Sequence, residues 1–168
     1  ERIEVEMGAV TFSSASIPVS GPEREVLEEE INIKGRRFRF CAASVGNPHC
    51  VILDDAGEAD ADFAQKYGPL LETAAIFPKR TNVQFMQIFG RHDIAIEIWE
   101  RGAGYTLASG SSASAAAAVA IRLGRSDSPV AVHMPGGKLV VDVSANGLVV
   151  QTGPVEKIGE AIWTGNDA

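Results

Sequence analysis

The chain has 168 residues, 45% of them apolar and 22% charged, with a formal net charge of −7. That length supports one domain with a substantial core, and an acidic balance without any basic block argues against a nucleic-acid partner. No apolar run approaches the roughly 20 residues of a membrane-spanning helix, and Cys41 and Cys50, both in apolar surroundings, do not form a disulfide framework, which favours a reducing cytoplasm.

In chain order, Glu1 to Val5 reads as a strand already under way, and the chain starts without Met. Ile31 to Ile33 and Arg37 to Ala43 form a hairpin around Gly35, followed by strands at Cys50 to Leu53 and Asn82 to Phe89. The clearest strand is Asp93 to Glu100, which sets Ile94, Ile96 and Ile98 on one face and Ala95, Glu97 and Trp99 on the other. Val130 to His133, Leu139 to Val143 and Leu148 to Thr152 follow, separated by the turn signals Pro135-Gly136-Gly137 and Asn146-Gly147. Two helices interrupt the strands: Ala61 to Leu71, and Ser112 to Leu123 with Gly124 as its C′ residue. Strands of period two plus one very apolar helix predict an α+β fold, a single domain over 1–168 in which an antiparallel sheet curls around the central helix.

The stretch from Glu100-Arg101-Gly102 to Ser109-Gly110-Ser111-Ser112, running into Ala115 to Ile121, carries the chemistry. A glycine-flanked helix start offers free backbone N–H groups and the positive end of the helix dipole, which together suit a carboxylate or another oxyanion. The competing structural reading makes Ser109 or Ser111 an N-cap on a core helix. No metal site is assigned.

Five ordered motifs then converge: Val45-Gly46-Asn47-Pro48-His49-Cys50-Val51, Arg80-Thr81-Asn82-Val83-Gln84-Phe85, the Glu100 to Ala118 stretch, Met134-Pro135-Gly136-Gly137 and Thr152-Gly153-Pro154. Their order and spacing resemble the C-terminal half of diaminopimelate epimerase. The resemblance implies a protein of two similar halves, each a sheet curled around a helix, with the active site between them. Its members invert the α-carbon of diaminopimelate without pyridoxal phosphate or any other cofactor, in lysine and cell-wall precursor synthesis. They use two cysteines, one from each half, as proton acceptor and donor.

Matched by motif, Ser109 takes the place of the second acid/base cysteine, while Gly110 and Ser111 match the amides that receive the α-carboxylate. Asn47, Asn82 and Arg101 match residues holding the distal end of the substrate, and Glu100 and His49 match polar residues beside the reacting centre. Two departures stand out: the N-terminal half with its own cysteine is not in this chain, and serine occupies positions 109 and 114 where cysteine is expected. A hydroxyl is a far weaker acid than a thiol, and losing one general acid/base typically lowers a rate by about 10² to 10⁴. The chain by itself is therefore expected not to epimerise diaminopimelate.

Three accounts follow. The chain is the second half of an ordinary epimerase with its cysteines changed. Or it is a relative of the proline racemase and hydroxyproline dehydratase group, working with one base. Or it is a non-catalytic half-domain that binds an amino acid or a partner chain. An isolated half leaves uncovered the apolar face that should meet its twin, which favours the other half or a second copy, as a homodimer.

Overall fold

The computed structural model describes residues 1–162 and 165. Ten strands and two helices follow one another as β1 (Arg2–Ala9), β2 (Glu29–Ile33), β3 (Arg36–Ser44), β4 (Pro48–Leu53), α1 (Ala61–Glu72), β5 (Asn82–Gly90), β6 (Asp93–Glu100), β7 (Gly104–Thr106), α2 (Gly110–Arg122), β8 (Val130–Met134), β9 (Gly137–Val143) and β10 (Leu148–Pro154). The fold is α+β, as the period-two patterning implies. One sheet runs in the order β1-β10-β9-β8-β6-β5-β4-β3-β2, with β7 paired to β6 alone.

Most neighbouring strands are antiparallel, and two pairs, β4 with β5 and β6 with β8, are parallel, which makes the sheet mixed. In each case a helix lies between the two strands in sequence and carries the chain back to the starting edge, so the second strand re-enters in the same direction. In β4, buried at every position, the apolar run Cys50 to Leu53 is the local signal of a strand covered on both faces. β7 is a short strand that the patterning does not reveal. The hairpin turns are where the sequence puts them. Lys34 and Gly35 take φ of 49° and 85°, the left-handed pair that a tight hairpin needs.

Helix α2 lies inside the curl. Ser112 through Ala120 are buried without exception, as an apolar run with no polar face requires. Around it pack Ile94, Ile96 and Ile98 of β6 together with Val51, Met86, Val132, Val141 and Val149. The alanines leave only short stubs, which lets the curled sheet come close to the helix on all sides. A bridge between Thr11 and Ser44 ties the segment after β1 to the end of β3 and draws the two ends of the sheet together.

The opposite face of the sheet holds a second core, in which α1 packs with Phe38, Phe40, Phe77 and Phe85. Asp60 caps α1, its carboxylate accepting the Phe63 N–H at 2.8 Å. At its far end α2 closes on Gly124 (φ 68°), with Gly124 N–H donating to Ile121 O at 2.9 Å and Arg125 N–H to Ala120 O at 3.0 Å. This paired closure is the one expected of glycine at C′.

Candidate active site

The N-terminal end of α2 is the point on which the sequence-derived residues converge. Ser109 occupies the N-cap position with extended backbone (φ −155°, ψ 124°), and its side chain makes no capping hydrogen bond. The structural reading is thus met in position, with Ser109 at the N-cap, but without the side-chain hydrogen bond that gives such a cap its stabilising effect. The Ser109 carbonyl takes the first helical N–H, that of Ala113, at 3.0 Å. The N–H groups of Gly110, Ser111 and Ser112 are left over by the geometry of a helix start. They converge with the dipole on one point, and an uncapped serine hydroxyl stands beside them.

Strands β4 and β5 supply the polar wall. Asn47 Nδ2 donates to Ser111 Oγ at 3.3 Å, and Asn47 Oδ1 lies 2.9 Å from His49 Nε2. His49 is fully buried, and that burial holds its pKa down to about 4; the neighbouring Gln84 amide pulls it up and the Arg101 charge lowers it further, so the ring is neutral at pH 7. Because Asn47 spends its amide nitrogen on Ser111, its oxygen faces the ring and Nε2 carries the hydrogen.

Asn82, at the start of β5, ties the ends of two neighbouring strands together. Its Nδ2 donates to Pro48 O at 3.0 Å, and its Oδ1 accepts the Arg101 N–H at 2.8 Å. Glu100 is half-buried at the end of β6 and pairs with Gly104. Arg101 is exposed, with its guanidinium on Lys79 O at 3.0 Å. Hydrogen bonds thus join Asn47, His49 and Ser111 in one group and Asn82 with Arg101 in another, while Glu100 is side-chain bonded to neither group among the described residues.

Sequence reasoning passed over several residues that build this region. Buried Glu72 of α1 accepts from Trp99 Nε1 at 2.6 Å, from Gly102 N–H at 3.0 Å and from Arg80, and so holds the turn that carries Arg101. Gln84 Nε2 donates to Ser112 Oγ at 3.0 Å within the core. The end of the Gln151 side chain lies against Gly110, where a Cβ would come within 2.7 Å of it. A lone Glu at a helix end or a Gln inside a strand carries no local signal; only the packing reveals their roles.

A cleft of about 260 Å³ opens beside Ser109, lined by Ala108, Gly110, Met134, Gly136 and Leu139. The Pro135-Gly136-Gly137 turn forms its rim, with Gly136 N–H donating to Leu107 O at 2.7 Å. A larger hollow, about 400 Å³, lies away from the helix start among Arg36, Arg39, Asp54 and Asp55. Its charges are already paired, Arg36 with Glu58 and Arg39 with Asp55, so it lacks the free donors found at α2. The two cysteines are not part of the site: both are buried and free, burial pushes both thiols up, and Cys50 is raised well above the usual range.

A family model for diaminopimelate epimerase matches residues 41–158, which include every residue of this site. The chain belongs to the diaminopimelate epimerase family. It is 51% identical over 160 residues to diaminopimelate epimerase 2 of Nostoc sp., covering 95% of this chain and 55% of that protein. It is 39% identical over 168 residues to the diaminopimelate epimerase of Desulforudis audaxviator, covering 97% and 58%. The chain thus spans a little over half the length of these curated relatives.

Solved structures place the fold of this family member beside two others. A probable proline racemase from Agrobacterium radiobacter aligns with a TM-score of 0.66 at 17% identity, over 91% of this chain and 50% of the other. A hydroxyproline epimerase from Agrobacterium vitis aligns with a TM-score of 0.64 at 16% identity, over 90% and 48%. At such identities the likeness is one of fold. Among the described residues no helix is long and apolar enough to cross a membrane, and no group of His, Cys, Asp and Glu could hold a metal ion.

Proposed function

We propose that this chain forms one half of the active site of a cofactor-independent amino-acid epimerase acting on LL- and meso-diaminopimelate in the cytoplasm. The observation that carries the proposal is the start of α2, where leftover backbone N–H groups, an uncapped Ser109 hydroxyl and the Asn47–Ser111 pair meet at one mouth. A carboxylate seated there is held by backbone dipoles fixed before it arrives, and charge developing at the adjacent carbon is stabilised by the same groups. On this reading Gly110 and Ser111 receive the α-carboxylate, and Asn47, Asn82 and Arg101 recognise the distal end. Neutral His49 and Glu100 orient the reacting centre.

The reaction needs an acid/base group on each face of the α-carbon, and this chain contributes only one, Ser109. The second comes from the other half of the enzyme, which covers the mouth of α2. Exposed apolar side chains near that mouth support such a cover. Leu107 lies two residues before Ser109, and Val5 is paired with Gln151, whose side chain lies against Gly110. A second copy of this chain is the alternative cover. With a hydroxyl in place of a thiol and no partner half, the chain alone does not turn over.

The test is exchange of the substrate α-proton with deuterated solvent, using diaminopimelate and the Ser109→Cys chain combined with the remaining half of the protein. Exchange that appears only when both changes are present supports the proposal. Exchange by the unaltered chain alone, or none with both supplied, refutes it. A one-base activity, which the fold shared with proline-racemase-like structures makes the second reading, would show as turnover of a cyclic amino acid that Ser109→Ala abolishes.

A further inference from the structure

Among the buried side-chain atoms left without hydrogen-bond partners in the described residues, two belong to neighbouring strands in the wall of this site: Nδ1 of His49 and Oε1 of Gln84. They sit on adjacent strands, His49 in β4 and Gln84 in β5, where Val51 pairs with Gln84. Both side chains are completely buried, and the Gln84 amide lies close enough to the ring to act on its proton affinity. Buried polar atoms almost always find a partner, so two neighbouring exceptions need one explanation.

The explanation lies in the tautomer. The ring hydrogen is on Nε2, facing Asn47 Oδ1 at 2.9 Å, so Nδ1 presents a lone pair. While Gln84 gives its nitrogen to Ser112, its oxygen is turned away from that serine, and an oxygen toward the ring sets one acceptor against another. Turning the Gln84 carboxamide over leaves its Ser112 contact in place with the roles exchanged, and an amide nitrogen closing on the ring then gives both atoms partners. Nitrogen then donates to His49 Nδ1, and oxygen accepts from the Ser112 hydroxyl, which can rotate to donate.

We propose that Gln84 is a positioning residue whose carboxamide, with its nitrogen toward His49, closes a one-way hydrogen-bond chain that leaves the Ser111 hydroxyl as a donor at the mouth of α2. The direction is the same at every link. Ser112 Oγ–H donates to Gln84 Oε1, Gln84 Nε2–H to His49 Nδ1, His49 Nε2–H to Asn47 Oδ1, and Asn47 Nδ2–H to Ser111 Oγ. Ser111 accepts from inside, so its own hydrogen points outward, beside the free N–H groups of Gly110 and Ser111. An anion bound there gains a hydroxyl whose hydrogen is not spent inside the chain and is free to donate. Only this last link rests on the reading of α2 as a substrate site; the chain from Ser112 to Ser111 stands on the hydrogen bonding alone.

The test reads the tautomer directly. Replacing the two exposed histidines, by His92→Gln and His133→Gln, leaves His49 as the sole imidazole for ¹⁵N NMR at neutral pH. We expect a protonated Nε2 and a hydrogen-bonded, unprotonated Nδ1. The variant Gln84→Glu, whose carboxylate can only accept, should move a proton onto Nδ1; Gln84→Met should keep the Nε2–H form and lose the hydrogen-bond shift at Nδ1. A protonated Nδ1 with Gln84 present overturns the proposal, and this measurement decides even where a variant fails to fold. So does an unprotonated Nδ1 in folded Gln84→Glu. In the two-half Ser109→Cys enzyme, Gln84→Glu should raise KM for diaminopimelate about tenfold with little change in kcat, as loss of one donor to a bound carboxylate does. An unchanged KM overturns the Ser111 link. An enzyme inert to diaminopimelate whose NMR result is as expected instead refutes the site reading and leaves the hydrogen-bond chain in place.

Discussion

The side chain of Asn82 holds Arg101 by its backbone: Oδ1 accepts the Arg101 N–H at 2.8 Å while Nδ2 donates to Pro48 O at 3.0 Å. One carboxamide thus sets the ends of β4 and β6 relative to each other, and with them His49 on one side and the Glu100-Arg101 pair on the other. Nothing in a lone Asn at a strand start announces that reach.

Removing this clamp should therefore do more than delete a contact. Asn82→Ala leaves the buried Pro48 carbonyl and the partly buried Arg101 N–H unpaired, and we expect a loss of about 1–3 kcal/mol in unfolding free energy. Asn82→Asp keeps the acceptor for Arg101 and loses the donor to Pro48, so it should fall between the two. Urea titrations of the three proteins check the order, and an Asp variant no better than Ala would deny the Arg101 bond its role.

The buried imidazole makes stability depend on pH in a defined window. Burial holds His49 at about 4, against 6.5 when it is exposed. The unfolded chain therefore binds the proton more readily, and the stability is present in full above pH 6.5 and is lost as pH falls toward 4. The shift corresponds to about 3 kcal/mol across that range. His49→Gln removes this contribution, so its unfolding free energy should decline less steeply between pH 7 and 4 than that of the parent. Parallel declines would mean that His49 titrates normally in the folded chain.

Position 109 should tune a thiol. In Ser109→Cys the sulfur sits at the start of α2 with no side-chain cap to satisfy, where the helix dipole favours the thiolate. Alkylation by iodoacetamide, followed against pH, should give a midpoint below the ordinary value of about 8.5. Cys41 and Cys50, fully buried with their thiols pushed up, should stay unmodified until the chain is unfolded. A midpoint above 8.5 at position 109 would remove the electrostatic case for an acid/base group there.

Packing behind the site is equally specific. A Cβ on Gly68 of α1 would stand 2.5 Å from Cγ of Trp99, and the indole cannot retreat because its Nε1 is bonded to Glu72 at 2.6 Å. Gly68→Ala gains helix propensity but overpacks a fixed aromatic, and the net change should be a loss of about 1–3 kcal/mol. The same strain reaches Gly102 through Glu72, so amide exchange at Gly102 should speed up. A variant as stable as the parent would show that Trp99 has room to move.

What the sequence determined by itself is what depends on neighbours along the chain. Alternation placed Ile94, Ile96 and Ile98 on one face, and all three are buried against α2. The alanine run announced a helix enclosed on every side, and glycines marked the turns at Gly35 and Gly147 and the helix end at Gly124, all with positive φ. The ordered motifs also carried the family. Tertiary structure alone decided the rest. The parallel pairings depend on which edge a strand returns to after a helix, and strand patterning does not encode direction. The serine expected to cap α2 leaves its hydroxyl unbonded, since capping is a choice of rotamer made by the surroundings. Asn47 and Ser111, 64 residues apart, meet only because the sheet curls around the helix. Glu72 and Gln84 gain their roles from the same closure, which turns ordinary polar residues into buried donors and acceptors that must find partners.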